Sequence, residues 1–336
     1  MKRRLFAATP LLLSGTLDPR QWALLSGARA PVAGEDPPVA RVAGTAFGTI
    51  ISLCALGDAD GLAQDALRAA MHEVQRIDAL LSLFRPDSQL SRLNRDGRIE
   101  DADPHLLRNL EFAAQLAALT GGAFDVTVQP LWELYTRAKA DGVLPAPRAI
   151  AQARDRVDHR AVVIEGTTVR LDRPGARVTL NSLAQGYATD VVLDMLRARG
   201  VAAALVDTGE LGNLGRRAPA RPWTVGVQHP RDRSGLIARI GMDGRVVSTS
   251  GDYATTFSGD FRHHHIFDPA TGVSPPRFSS TVALAPSGLL ADGLSTAMMV
   301  LDRAAGERLL GAFARTDGLW IDKDGGCTAT PGVPFA

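Results

Sequence analysis

The chain has 336 residues, of which 45% are hydrophobic and 22% charged, and its 37 basic side chains against 36 acidic ones leave a net charge of +1. Such a balance belongs to a globular protein with ample interior for a core and a cleft, and without a basic tract it argues against a nucleic-acid partner. Two cysteines, Cys54 and Cys327, make no disulfide framework, and with no C-x-x-C neither a structural zinc nor a redox dithiol is supported.

In chain order, Lys2, Arg3 and Arg4 precede the apolar stretch LFAATPLLLSGTL, which is too short to span a bilayer, and Ala28-Arg29-Ala30 offers a cleavage site. Residues 1–30 therefore read as an export signal, with Arg3-Arg4-Leu5-Phe6 resembling the twin-arginine type and pointing to the periplasm. A Pro-rich linker, 31–38, leads into one folded domain, 39–336. Residues 39–56 alternate like a strand, with Cys54 as a small buried apolar residue, and 62–81 carry a helical apolar stripe. A second helix spans 104–119, opened by Pro104 and closed by Gly121-Gly122. A small hairpin over 161–172 turns at Gly166; a third helix, capped by Asn181, runs to Arg199 and stops at Gly200, followed by a strand from Ala202 to Val206. Short β-like runs fill 222–285, and helices near 291–301 and 303–315 with a strand at 317–322 complete an α+β pattern without a regular βαβ rhythm.

Asp292 and Thr296 are four residues apart in a helical stretch, so carboxylate and hydroxyl share a face at the helix start, a pair of hard oxygen donors suited to Mg²⁺. Read alone, the same spacing fits an N-terminal acid favoured by the helix dipole. Ser182 stands at the start of the third helix, where free amides favour an anion such as a pyrophosphate. On a strand, His263 and His265 would face one way and His264 the other, so the three cannot converge on one metal. His265, directly before Ile266-Phe267-Asp268-Pro269, is better suited to serve as a base, or else to hold the Asp268-Pro269 turn. Ser250, between Thr249 and Gly251, has no G-x-S-x-G elbow around it and reads as part of a tight turn rather than a nucleophile.

Seven segments in one order resemble the ApbE family, the FAD:protein FMN transferases: GTAFGT (44–49), LLSLFRPDSQLSRLN (80–94), TGGAFDVTVQPLWELY (120–135), LNSLAQGYATD (180–190), LVDTGELGNLGRR (205–217), VSTSGDYATTFSGDFRHHHIFDPATG (247–272) and ADGLSTAMM (291–299). The resemblance implies a single large domain of mixed and antiparallel sheets with packed helices, a T-fold-like core, and a cleft for FAD and Mg²⁺. It implies Asp292, Thr296 and Ser182, the last through its carbonyl, as metal ligands and His265 as the catalytic base. It places Phe47, Phe84, Ala123, Phe124, Asp125, Thr179, Gln185, Ser250, Ile266 and Ser295 around the flavin nucleotide. The implied reaction passes FMN from FAD to a Thr or Ser hydroxyl of an acceptor flavoprotein and releases AMP. Thr179 and Gln185 depart from the acid and lysine of the commoner D-L-G-G-x-A-K-G pattern. The N-S-x-A-Q-G-Y form resembles the NosX branch, which implies a membrane-bound electron-transfer acceptor of the NosR type. The departures also favour a second reading, a periplasmic FAD-binding and delivery protein without chemistry; a third, a Mg²⁺-dependent FAD pyrophosphatase, uses the same residues and differs only in the acceptor.

Overall fold

The alternating run expected as one strand is a hairpin. Phe47 and Gly48 both take left-handed backbone angles, φ 54° and 74°, and the chain reverses between β1 (Val39–Ala46) and β2 (Thr49–Leu56). The computed structural model describes residues 39–57, 61–218, 221–232 and 234–336; the export signal and linker expected over 1–38 lie outside the described residues.

From that hairpin an eight-stranded sheet extends in the order β1-β2-β6-β7-β10-β11-β12-β13, with every neighbouring pair antiparallel. Its other members are β6 (Ala204–Asp207), β7 (Leu211–Leu214), β10 (Val246–Gly251), β11 (Phe278–Ala285), β12 (Asp317–Asp322) and β13 (Cys327–Ala329). Strand β11 reads FSSTVALA and is buried along its whole length, because both faces of the sheet are covered. Ala283 and Ala285 point to the helical side, while Val282 and Leu284 join a second core under the hairpin of β8 (Thr224–Gln228) and β9 (Leu236–Gly241). Cys54 lies in that second core, and five strands separate it from Cys327. At about 4.8 Å per strand that gap excludes a bridge between them, and both thiols are free.

The main core packs α1 (Leu62–Leu81), α2 (Gln89–Asp96), α3 (Pro104–Leu119), α6 (Ala184–Ala198), α7 (Gly288–Val300) and α8 (Arg303–Gly311) on the sheet and on one another. A small sheet, β3 (Arg98–Ile99), β5 (Thr168–Leu171) and β4 (Val162–Glu165), flanks it, with the expected hairpin turn at Gly166. A third, small core gathers Leu131 and Tyr135 of α4 (Gln129–Ala140) and Ala153 of α5 (Pro147–Arg154) against Phe257 and Phe267. Helices α2, α4 and α5 were not legible from periodicity. The architecture is the expected α+β, a mixed domain of antiparallel sheets and eight α-helices among the described residues.

Two helix starts differ from the reading of the sequence, and both bear on the site. Helix α7 begins at Gly288 because Ser287 caps it, accepting from the Leu290 amide at 3.3 Å. Asp292 is therefore in the second turn, beyond the amides its own helix leaves free. Helix α6 begins at Ala184 after a turn over 181–183, and Asn181 does not cap it.

Candidate active site

The crossing of α6 and α7 assembles the site. A Cβ on Gly186 would lie 2.1 Å from the Gly288 carbonyl oxygen, and one on Gly288 would lie 2.2 Å from that of Gly186, so the two backbones touch only because both residues lack side chains. Asp190 of α6 clamps the contact, its carboxylate accepting from the amides of Gly288 at 2.5 Å and Leu289 at 2.9 Å. Burial pushes that carboxyl up to about 6 against the pull of those two amides.

This geometry brings Asp292 to the N-terminus of α6. Its Oδ2 accepts from the Gly186 amide at 3.0 Å, one of the donors the start of α6 leaves free. Ser182 sits in the turn that leads into the same helix end. Asp292 is 4% exposed, and burial pushes its carboxyl up to about 7, with Gly186 opposing and the Asp190 charge adding. Glu210, in the turn between β6 and β7, lies inside the segment LVDTGELGNLGRR but was not singled out there as a site residue. It is buried beside Asp292, held by the Ser248 hydroxyl and the Thr249 amide, and pushed well above the usual carboxylate range first by burial and then by the Asp292 charge.

Thr296 follows Asp292 on the same face of α7, half-buried, with its Oγ1 3.1 Å from Ser250 Oγ at the end of β10. The donor set, one carboxylate and one hydroxyl beside a second acid, suits a hard divalent cation. A buried carboxylate that meets a single amide is short of compensating positive charge, which such an ion would supply. The acid and the hydroxyl therefore fit Mg²⁺, and half-buried Ser182 lies in the turn before the same helix end.

The residues expected around a flavin nucleotide divide into two groups. Half-buried Phe47, Ala123, Thr179, Gln185 and Ser250 keep accessible surface, and Phe84 is 62% exposed. Thr179 donates its amide to the Val126 carbonyl at 2.8 Å, which joins the 123–126 segment to the approach to α6. The Gln185 side chain lies over Gly209, where a Cβ would come within 2.1 Å of its Nε2. Phe124, Asp125, Ile266 and Ser295 are buried and used internally. Asp125 accepts from the Thr127 amide at 2.7 Å, from the Thr127 hydroxyl at 2.6 Å and from the His159 amide at 2.9 Å. Phe124 and Ile266 belong to the main core, so their side chains pack inward rather than line a pocket.

The three histidines lie in a loop rather than on a strand, paired locally through the bridge between Thr256 and His264. His264 is 0% exposed, with Nε2 3.2 Å from the Pro275 carbonyl, and burial holds its pKa down at about 3. His265 is half-buried, with Nδ1 3.2 Å from the Thr255 carbonyl. A carbonyl only accepts, so that contact places the ring proton on Nδ1 and leaves Nε2 as a free base. Burial lowers the His265 pKa and keeps the ring neutral. Asp268 braces the following turn as expected, accepting from the Ala270 amide and the Thr271 hydroxyl.

The loop is anchored by Asp252, 0% exposed at the end of β10. Arg231 meets it through two 2.7 Å bonds and lies 4.1 Å over the Phe261 ring, while Lys323 donates to Asp252 at 2.7 Å and to the Phe261 carbonyl at 2.6 Å. Two cations thus grip one buried acid and the tip of the histidine loop together.

Comparison with known proteins places these features in context. A curated protein of Vibrio cholerae serotype O1 named FAD:protein FMN transferase is 30% identical over 299 residues, 85% of this chain and 89% of that one. Another of that name from Klebsiella pneumoniae is 31% identical over 271 residues, 77% of each. The solved structure described as the flavin transferase ApbE from Vibrio cholerae superposes with a TM-score of 0.74 at 27% identity, covering 87% of this chain and 96% of that one. The model described as the ApbE family matches residues 47–319, and the chain belongs to that family.

Proposed function

We propose that the protein is a Mg²⁺-dependent FAD:protein FMN transferase that joins FMN through a phosphoester bond to a Thr or Ser of a partner flavoprotein and releases AMP. The observation that carries the reading is the seating of Asp292, with Thr296 beside it, on the Gly186 amide at the start of α6. That arrangement sets hard cation ligands at a helix N-terminus, whose dipole favours an anionic substrate such as a pyrophosphate.

Asp292, Thr296 and the Ser182 carbonyl hold the cation, which when bound neutralises charge on the phosphate oxygens. The N-terminal end of α6 and the accessible surfaces of Phe47, Ala123, Thr179, Gln185 and Ser250 orient the nucleotide. His265 Nε2 accepts the acceptor hydroxyl proton as the oxygen–phosphorus bond forms and the pyrophosphate bond to AMP breaks. Gln185, seated over Gly209, occupies the position of the commoner lysine. We infer a periplasmic location, reached by twin-arginine export, and an acceptor of the membrane-bound NosR type.

Mass spectrometry after incubation with FAD, Mg²⁺ and acceptor protein tests the reading. An acceptor heavier by one FMN, with AMP released, is expected. Free FMN with an unmodified acceptor would mark a pyrophosphatase, and unchanged FAD a binding protein.

A further inference from the structure

Ser295 was expected beside the flavin, yet it is fully buried behind Thr296. Its Oγ lies 3.0 Å from the Asp292 carbonyl, 3.0 Å from Ser248 Oγ and 2.8 Å from Ser250 Oγ, and Ser250 in turn lies 3.1 Å from Thr296 Oγ1. Each hydroxyl has one proton, so these contacts constrain one another.

The Asp292 carbonyl has no proton to give, and its contact with Ser295 therefore uses the proton of Ser295. With its proton on that carbonyl, Ser295 accepts at the 3.0 Å contact with Ser248. The Ser295 proton, spent on the carbonyl, is not available to Ser250. The 2.8 Å contact between Ser250 and Ser295 must accordingly use the proton of Ser250, and the contact between Ser250 and Thr296 that of Thr296. The Thr296 proton is thereby turned back into the protein.

We propose that Ser295 is a positioning residue that, through Ser250, turns the Thr296 hydroxyl so that its oxygen lone pairs face the cation. The proposal rests on the reading of Asp292 and Thr296 as cation ligands. A free hydroxyl would spend part of its time with its proton toward the ion, and fixing the rotor removes that loss. Replacing Ser295 by alanine frees Ser250 to donate to Thr296, which pushes the Thr296 proton outward.

The test is calorimetric titration of the full chain with MgCl₂ alone, alongside circular dichroism melting of each variant. Ser295→Ala is expected to bind Mg²⁺ on the order of tenfold more weakly, the net effect of one hydrogen bond. Ser250→Ala, which leaves the Ser295 packing intact, is expected to show a similar loss. Ser295→Ala combined with Thr296→Val should bind no more weakly than Thr296→Val alone. Wild-type affinity in Ser295→Ala and Ser250→Ala, or a loss that adds in full to that of Thr296→Val, would overturn the proposal. Asp292→Asn separates the two layers. If it loses Mg²⁺ while Ser295→Ala does not, the relay alone fails, whereas wild-type binding by Asp292→Asn removes the cation reading and the proposal with it.

Discussion

The Gly186 amide donates to Asp292 Oδ2 across a helix crossing that joins residues 106 positions apart in the chain. The crossing is close enough that Gly186 has no room for a methyl group, since a Cβ there would meet the Gly288 carbonyl oxygen at 2.1 Å and the Asp292 Cβ at 2.7 Å. Backbone cannot yield as a flexible side chain would. Gly186→Ala is therefore expected to force α6 and α7 apart, at a cost of roughly 1–3 kcal/mol or more by overpacking, and to break the amide contact to Asp292. Chemical denaturation should show the stability loss, and Mg²⁺ titration the weakened site. A variant with wild-type stability would mean that the helices have slack.

The carboxyl of Asp292 sets a second expectation, with its sign fixed by linkage. Burial raises its folded value to about 7 from an ordinary 3.8, so between those values the folded chain holds a proton that the unfolded chain has lost. Its contribution is present below pH 3.8 and is lost as pH rises toward 7. His264 acts oppositely: held neutral down to about 3, it costs stability as pH falls below 6.5. The two slopes overlap, so the clean measurement is the difference between wild type and Asp292→Asn without metal. That difference should fall with rising pH across 4 to 7. Mg²⁺ needs the ionised carboxylate, and the melting-temperature gain on adding it to wild type should grow across pH 6 to 8. A gain independent of pH would mean that the ion binds elsewhere.

Much of this site was visible in the sequence, and the failures have physical causes. The spacing of Asp292 and Thr296 places them on one face wherever the helix begins. What the spacing left open was the partner, because the dipole of α7 and the free amides of α6 are equally plausible hosts until the Gly186 and Gly288 crossing is known. Asn181 resembled a cap, but the carboxylate of Asp292 meets a free α6 amide instead. Glu210 escaped notice because a glutamate in a turn is ordinary until tertiary packing buries it beside another acid. Ser295 is one residue from Thr296, but helical geometry sends adjacent side chains about 100° apart, so it faces the core. The hairpin at Phe47 was hidden because alternation continues through a two-residue turn, and only its left-handed backbone angles mark it.

Asp252 supports a prediction about the loop that carries His265. With the acid removed, Arg231 and Lys323 are left with reduced compensation, and breaking a buried pair by deleting one partner costs roughly 3–5 kcal/mol. Arg231 is 30% and Lys323 22% exposed at the side chain, so solvent takes up part of that cost. Asp252→Ala should therefore lower stability by less than that full amount and loosen the loop tip at Phe261. Hydrogen exchange over residues 256–265 is expected to quicken more than over α6. Equal changes in both segments would show a global effect rather than a local clamp.

The histidine loop separates chemistry from packing most sharply. An alcohol hydroxyl is scarcely ionised near neutral pH, so transfer to it needs a positioned base, and losing that base costs on the order of 10²–10⁴ in rate. His265 presents Nε2 with its proton fixed on Nδ1 by Thr255. His264 next to it is sealed in, with its Nε2 on the Pro275 carbonyl, and can serve only the fold. His265→Ala is expected to keep FAD and Mg²⁺ binding while losing most transfer, with a slow release of free FMN by water surviving. His264→Ala should instead lower the melting temperature and keep a larger share of the transfer rate once corrected for the folded fraction. Quantifying flavinylated acceptor, free FMN and folded protein in the same samples distinguishes the roles. Full transfer in His265→Ala would place the base elsewhere, and equal loss in both variants would assign the loop to structure alone.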